Sequence, residues 1–179
     1  RPLRSLLLLV SAGLLVGCEQ ALDPLSAVRE RGELRFVTRN GPTTYFLGRG
    51  GEQGFDYELA AKLAQELGVT LTVRQAFTLD ELFSALERGE ADIAGAGLTL
   101  TAKRAARYAR TVAYASQRPQ IIYRVGNRRP RDLTDLGAMR IAVVAGSSHE
   151  QLLEDLRDER GIELAWDPVA TSDPFDVLR

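Results

Sequence analysis

Two short runs of residues carry the groups of an anion site. In Gly95-Ala96-Gly97-Leu98-Thr99-Leu100-Thr101-Ala102-Lys103-Arg104, two glycines and two threonine hydroxyls lead into an arginine. Arginine offers a planar fork of N–H donors that matches a carboxylate bidentately, and glycine lets the backbone approach a ligand closely. Gly146-Ser147-Ser148 repeats the theme with hydroxyl and amide donors where a strand end opens a helix. Unpaired N–H groups at such a helix start favour negative charge. One run in each half of the chain is what a cleft clamping a small carboxylate requires. A plainer reading stands beside it: Thr101 and Ser147 are helix N-caps, and Arg104, Arg107 and Arg110 form a solvated basic face.

Other chemistries find no support in the residue types. Gly48-Arg49-Gly50-Gly51-Glu52-Gln53-Gly54 lacks the dinucleotide-binding spacing, and no Gly-Lys-Ser/Thr phosphate loop occurs. With His149 and Cys18 as the only residues of their kinds, a multi-histidine zinc site is excluded, and their wide separation in the chain speaks against a cysteine-hydrolase dyad. Glu58, Glu81, Glu87 and Glu154 fall on helical faces as solvated charge. Asp56 and Glu58 complement a helix start without facing each other as an acid/base pair. No catalytic residue, metal or cofactor is expected.

Alternating periodicities supply the elements that hold the two runs. Leu34–Thr38 and Val69–Val73 alternate as strands. Phe55, Leu59, Leu63 and Leu67 form a helical stripe stopped by Gly68, and Leu79 to Leu86 form another stopped by Gly89. Asn40–Gly54 reads as a turn-rich loop. A short strand at Asp92–Ala94 enters the first candidate run, and Thr101 caps a helix through Tyr108. Gln120–Val125 is extended. Beyond the break at residues 126–130, Met139–Val144 reads as a strand, Ser147–Arg160 as a helix and Ile162–Trp166 as a strand, with a helix start near Ser172 or Asp173. Strands alternating with helices of this length imply βαβ units and mainly parallel sheets. The fold class is α/β in two lobes, the first spanning residues 32–125 and the second, incomplete, 126–179.

Residues 1–18 belong to targeting. Arg1 and Arg4 precede an apolar run, Leu6–Val16, too short at about 1.5 Å per residue to span a core of about 30 Å. It fits the hydrophobic region of a secretory signal. Leu15-Val16-Gly17-Cys18 resembles a bacterial lipobox, with Cys18 as the lipidated residue and Glu19 favouring the outer membrane. Residues 19–31 read as a tether. The whole chain balances 23 basic against 24 acidic residues, which offers no basic footprint for nucleic acid.

These segments carry a family resemblance. Gly32-Glu33-Leu34-Arg35-Phe36-Val37-Thr38, Gly54-Phe55-Asp56-Tyr57-Glu58-Leu59-Ala60 and Leu98-Thr99-Leu100-Thr101-Ala102-Lys103-Arg104 resemble successive signatures of the bacterial type 3 periplasmic solute-binding fold. Met139 to Ser148 is similar to that family's second-lobe strand and turn. More narrowly, Pro42 to Gly48, Ala96 to Thr99 and Arg118 to Arg124 resemble the N-terminal module of the membrane-bound lytic murein transglycosylase F family. That family joins a solute-binding-like regulatory module to a lysozyme-like catalytic domain.

The resemblance implies roles. Arg104 holds a ligand α-carboxylate with help from Thr99, Ser147 and Ser148. Gly97 supplies a backbone amide, and Tyr45 and Phe46 wall the pocket. The acidic residue that usually holds the α-amino group lies beyond Arg179, and Val112-Ala113-Tyr114 stands where the family has Pro-Pro-Tyr. The family's catalytic Glu-Ser motif does not occur in these residues. The implied protein is a lipid-anchored periplasmic module that recognises an amino-acid or peptide-like ligand and regulates a peptidoglycan-cleaving domain. Its partners are then the membrane through Cys18 and peptidoglycan through the downstream domain. An amino-acid transport receptor and a dehydratase on the same fold are the alternatives.

Overall fold

The computed structural model describes residues 23–171 and 173–178. Cys18 and the signal segment lie outside the described residues. The first element falls where a tether was expected. Helix α1, Pro24–Arg31, is capped by Asp23, whose carboxylate accepts from Leu25 N and Ser26 N, and is stopped by Gly32 at φ 69°. Proline in the first turn and glycine past the last are the usual helix punctuation, and Val28 buries the helix against the sheet that follows.

The first lobe is built on a three-stranded parallel sheet in the order β4-β1-β5, made of β1 (Glu33–Thr38), β4 (Thr70–Gln75) and β5 (Ile93–Ala94). Leu34 aligns with Leu71, and Phe36 aligns with Val73 on one side and Ile93 on the other. Alternation along β1 sends Leu34 and Val37 to opposite faces. Leu34 packs with Val28 and Ala64, the latter from α2 (Phe55–Leu67), while Val37 packs with Leu82 and Ala85 of α3 (Leu79–Glu87). Helices therefore cover both faces, as buried parallel strands require.

Within the expected loop 40–54, a small hairpin of β2 (Phe46–Gly48) and β3 (Gly51–Gln53) forms instead. The crowded glycines hid two three-residue strands. Helix α4 is short, Ala102–Arg107. Residues 109–124 then cross toward the second lobe without joining a sheet, and Gln120–Val125, read as extended, is exposed and belongs to no strand.

In the second lobe a 3₁₀ turn, Thr134–Ala138, precedes β6 (Ile141–Val144), α5 (Ser148–Arg160) and β7 (Trp166–Val169). β6 and β7 run parallel, with Ile141 opposite Trp166. The second strand thus sits later than the expected Ile162–Trp166. Residues 161–165 pack against the 3₁₀ turn instead: Leu164 is buried, and a Cβ on Gly137 would come within 2.7 Å of the Glu163 carbonyl. The expected final helix is a 3₁₀ turn, Pro174–Leu178. Among the described residues no helix is long and apolar enough to cross a membrane.

Candidate functional site

Arg104 is positioned by the cap that starts α4. The Thr101 hydroxyl accepts from Arg104 N at 3.3 Å and fixes the first turn. The side chain then folds back toward its own loop and outward to the other lobe. Nη1 donates to the Thr99 carbonyl at 2.8 Å and Nη2 to the Gly146 carbonyl at 3.1 Å. The guanidinium lies 4.8 Å from the centroid of Phe83, itself stacked on Tyr108. Burial pushes the Arg104 pKa down, yet an arginine stays charged in proteins. A cation held over an aromatic face and bonded only to neutral carbonyls can exchange one for a carboxylate, a stronger acceptor.

The facing turn comes from β6 and α5. Ser147 is the N-cap of α5, its Oγ accepting from Glu150 N at 3.2 Å. Glu150 returns the bond by accepting from Gly146 N at 2.6 Å and also takes the Trp166 indole N–H at 3.0 Å. Ser148 opens the helix and is half-buried. Lys103 reaches Glu154 at 2.8 Å and links α4 directly to α5. The structure therefore brings Thr99, Arg104 and the Gly146-Ser147-Ser148 turn together. Thr101 and Ser147 are N-caps, as the plainer reading of them expected.

Gly97 is engaged differently from the expectation. Its N–H donates to Asp56 Oδ2 at 2.7 Å, so the amide assigned to a ligand is already committed within the chain. Asp56, expected to be only a helix-start charge, is buried in the first turn of α2, and its Oδ1 accepts from the Tyr114 hydroxyl at 2.5 Å. The Phe55 and Tyr114 rings meet at 5.3 Å. Burial, with the Asp56 bond, pushes the Tyr114 pKa up to about 12.

Tyr45 is engaged with its own hairpin and the start of α2. It is buried, donates to Glu52 Oε1 at 2.7 Å, and meets Tyr57 edge-on at 5.7 Å. The Glu52 bond, with burial, raises its pKa to about 12. Phe46 is half-buried on β2, paired across the hairpin with Gln53. The expected aromatic wall is thus a hairpin support at Tyr45.

Arg39 was missed by sequence reasoning. It follows β1 directly, is 8% exposed, and donates through Nη2 to the Thr171 carbonyl of the second lobe. Its own carbonyl accepts from Thr44 Oγ1 at 2.7 Å. An arginine placed directly after the buried run Phe36-Val37-Thr38 was the available signal.

A surface cavity of about 460 Å³ is lined by Gly137, Arg157, Ile162 and Leu164 in the second lobe, and none of the candidate residues lines it. No group of three or more His, Cys, Asp or Glu among the described residues could hold a metal ion.

A βαβ lobe and a second parallel pair, with arginines reaching between their strand ends, define a two-lobed α/β ligand-binding fold of the periplasmic type. Residues 34–174 match the model of the bacterial extracellular solute-binding proteins, family 3, and the chain belongs to that family. A relative from Alkalilimnicola ehrlichii, named membrane-bound lytic murein transglycosylase F 1, is 44% identical over 83% of this chain and 31% of its own length. The chain thus spans about a third of that curated relative. Among solved structures it resembles the ancestral amino acid-binding protein AncCDT-1, a precursor of cyclohexadienyl dehydratase, with a TM-score of 0.72 and 26% identity, over 86% of this chain and 68% of that one. It also shares its fold with an amino acid ABC transporter substrate-binding protein from Streptococcus pneumoniae bound to L-arginine, at TM-score 0.66 and 24% identity, over 81% and 62% of the two chains.

Proposed function

We propose that this chain is the ligand-binding module of a membrane-bound lytic murein transglycosylase F, taking an amino acid or short peptide by its α-carboxylate at Arg104. The observation that carries the reading is the reach of Arg104 from the Thr99 carbonyl to Gly146 on the facing lobe. A carboxylate entering there exchanges neutral acceptors for a charged one. The Thr99, Ser147 and Ser148 hydroxyls, carried by the same two turns, are assigned to the same carboxylate. The amino acid-binding protein it resembles supports the ligand class, and the 44% identical relative supports the parent protein.

Binding that touches both lobes favours the closed arrangement by the difference in contacts between states. In the intact protein such closure regulates a downstream peptidoglycan-cleaving domain. Lipidation of Cys18 anchors the module at the periplasmic face of the outer membrane. The test is calorimetric titration of the intact protein with amino acids and murein stem peptides. Micromolar binding that is lost in Arg104→Ala supports the site, and affinities unchanged by that substitution refute it.

Transport is the second reading, favoured by the fold shared with the transporter component. A gene that ends soon after the second lobe points to transport. A long continuation containing a Glu-Ser motif points to the transglycosylase.

A further inference from the structure

The Arg104 reading leaves a second buried guanidinium unused. Arg39 stands at the carboxyl end of β1, the middle strand of its sheet, where ligands of open α/β sheets sit. Two chains of contact place it beside the candidate site. Within the first lobe, the Thr44 hydroxyl donates to the Arg39 carbonyl, and a Cβ on Gly97 would meet Thr44 Cγ2 at 4.0 Å. Across the cleft, Arg39 binds the Thr171 carbonyl just past β7, while Arg104 binds Gly146 just past β6. β6 and β7 are paired neighbours, and Ala145 N donates to the Val169 carbonyl at 2.9 Å. The two arginines therefore reach from adjoining parts of one lobe to adjoining strand ends of the other.

Arg39 is also incompletely satisfied. Its Nε is buried and has no hydrogen-bond partner among the described residues. Asp173 lies near enough to favour its charge, but no carboxylate among the described residues makes an ion pair with it. A buried cation whose bonds go to a carbonyl, with one N–H left over, is a strong attractor for a carboxylate.

We infer that Arg39 is a specificity-determining residue that receives a second carboxylate, so the ligand is an acidic amino acid or a peptide with an acidic side chain. The inference rests on the Arg104 reading, with Arg104 holding the α-carboxylate and Arg39 the side-chain carboxylate. Cationic side chains are rejected because they meet a buried like charge. This separates the chain from the L-arginine-bound protein whose fold it shares.

The test is calorimetry on the intact protein with L-glutamate, L-glutamine and L-arginine, comparing wild type, Arg39→Gln, Arg39→Lys and Arg104→Ala. Wild type should bind glutamate at least about tenfold more tightly than glutamine, the scale of one charge-assisted bond, and should bind arginine least. Arg39→Gln should bring the glutamate-to-glutamine ratio near one while leaving glutamine affinity within about threefold. Arg39→Lys should keep part of the preference, which guards the result against a Gln variant that fails to fold. A purely structural strut to Thr171 lowers all affinities together, and an unchanged ratio in Arg39→Gln overturns the inference. Equal wild-type binding of glutamate and glutamine, abolished by Arg104→Ala, overturns the Arg39 inference alone. Absence of binding to all three amino acids overturns it together with amino-acid recognition at Arg104.

Discussion

The carboxylate of Asp56 accepts the Gly97 N–H at 2.7 Å, which couples the start of α2 to the turn that delivers Thr99 and Arg104. The same carboxylate holds Tyr114 of the crossover between lobes. One buried side chain therefore ties the candidate site to residues 109–124, which run from the first lobe toward the second.

Replacing Asp56 by Ala leaves the Gly97 amide and the Tyr114 hydroxyl without their acceptor. Hydrogen bonds to charged groups contribute roughly 1.5–3 kcal/mol each, so the variant should lose about 3 kcal/mol in urea denaturation. Asp56→Asn keeps one acceptor oxygen and should lose less. Equal stability of the Ala variant and the wild type contradicts the coupling.

The raised tyrosines predict an alkaline limit. Tyr45 and Tyr114 both titrate near 12 in the folded chain, against an ordinary value of 10.0. A raised pKa stabilises the fold fully below the unfolded value, and that contribution is lost as pH rises toward the folded one. Stability should therefore be level in this respect up to about pH 10 and fall between about 10 and about 12. The Tyr45→Phe/Tyr114→Phe double variant should show a shallower fall, and phenolate absorbance checks the two titrations directly.

Glycine substitutions separate two kinds of strain. Gly54 has φ 130°, and a Cβ there would meet the Thr44 carbonyl oxygen at 2.4 Å, backbone against backbone. Gly161 has φ 62° with open space around it. Gly161→Ala should cost about 1–2 kcal/mol, the left-handed penalty alone. Gly54→Ala should cost more and should also displace the Thr44 contact to Arg39, visible as a lower midpoint of thermal unfolding.

Local patterns carried much of the architecture. The stripe Phe55 to Leu67 with Gly68, and the cap-to-glycine span Ser147 to Gly161, mark α2 and α5 because caps and apolar periodicity act within a few residues. The fold class followed from their alternation with strands. What escaped depends on distant partners. Asp56 looks like an ordinary first-turn acid until Gly97, 41 residues on, and Tyr114, 58 residues on, are brought to it. Arg39 gains its position from Thr171, 132 residues away. The β7 strand lies later than its apolar residues suggest because pairing with β6 sets the register, not its own hydrophobicity.

The central claim is that Arg104 holds a ligand's α-carboxylate between the lobes. It is tested most directly by calorimetric titration with an amino acid that binds and with the same compound carrying an α-carboxamide, against wild type and Arg104→Ala. Wild type should discriminate against the carboxamide by about a hundredfold, near the upper end for a charge-assisted hydrogen bond. Arg104→Ala should bind both weakly and nearly alike. Wild type binding carboxylate and carboxamide equally, or Arg104→Ala keeping the discrimination, contradicts the account.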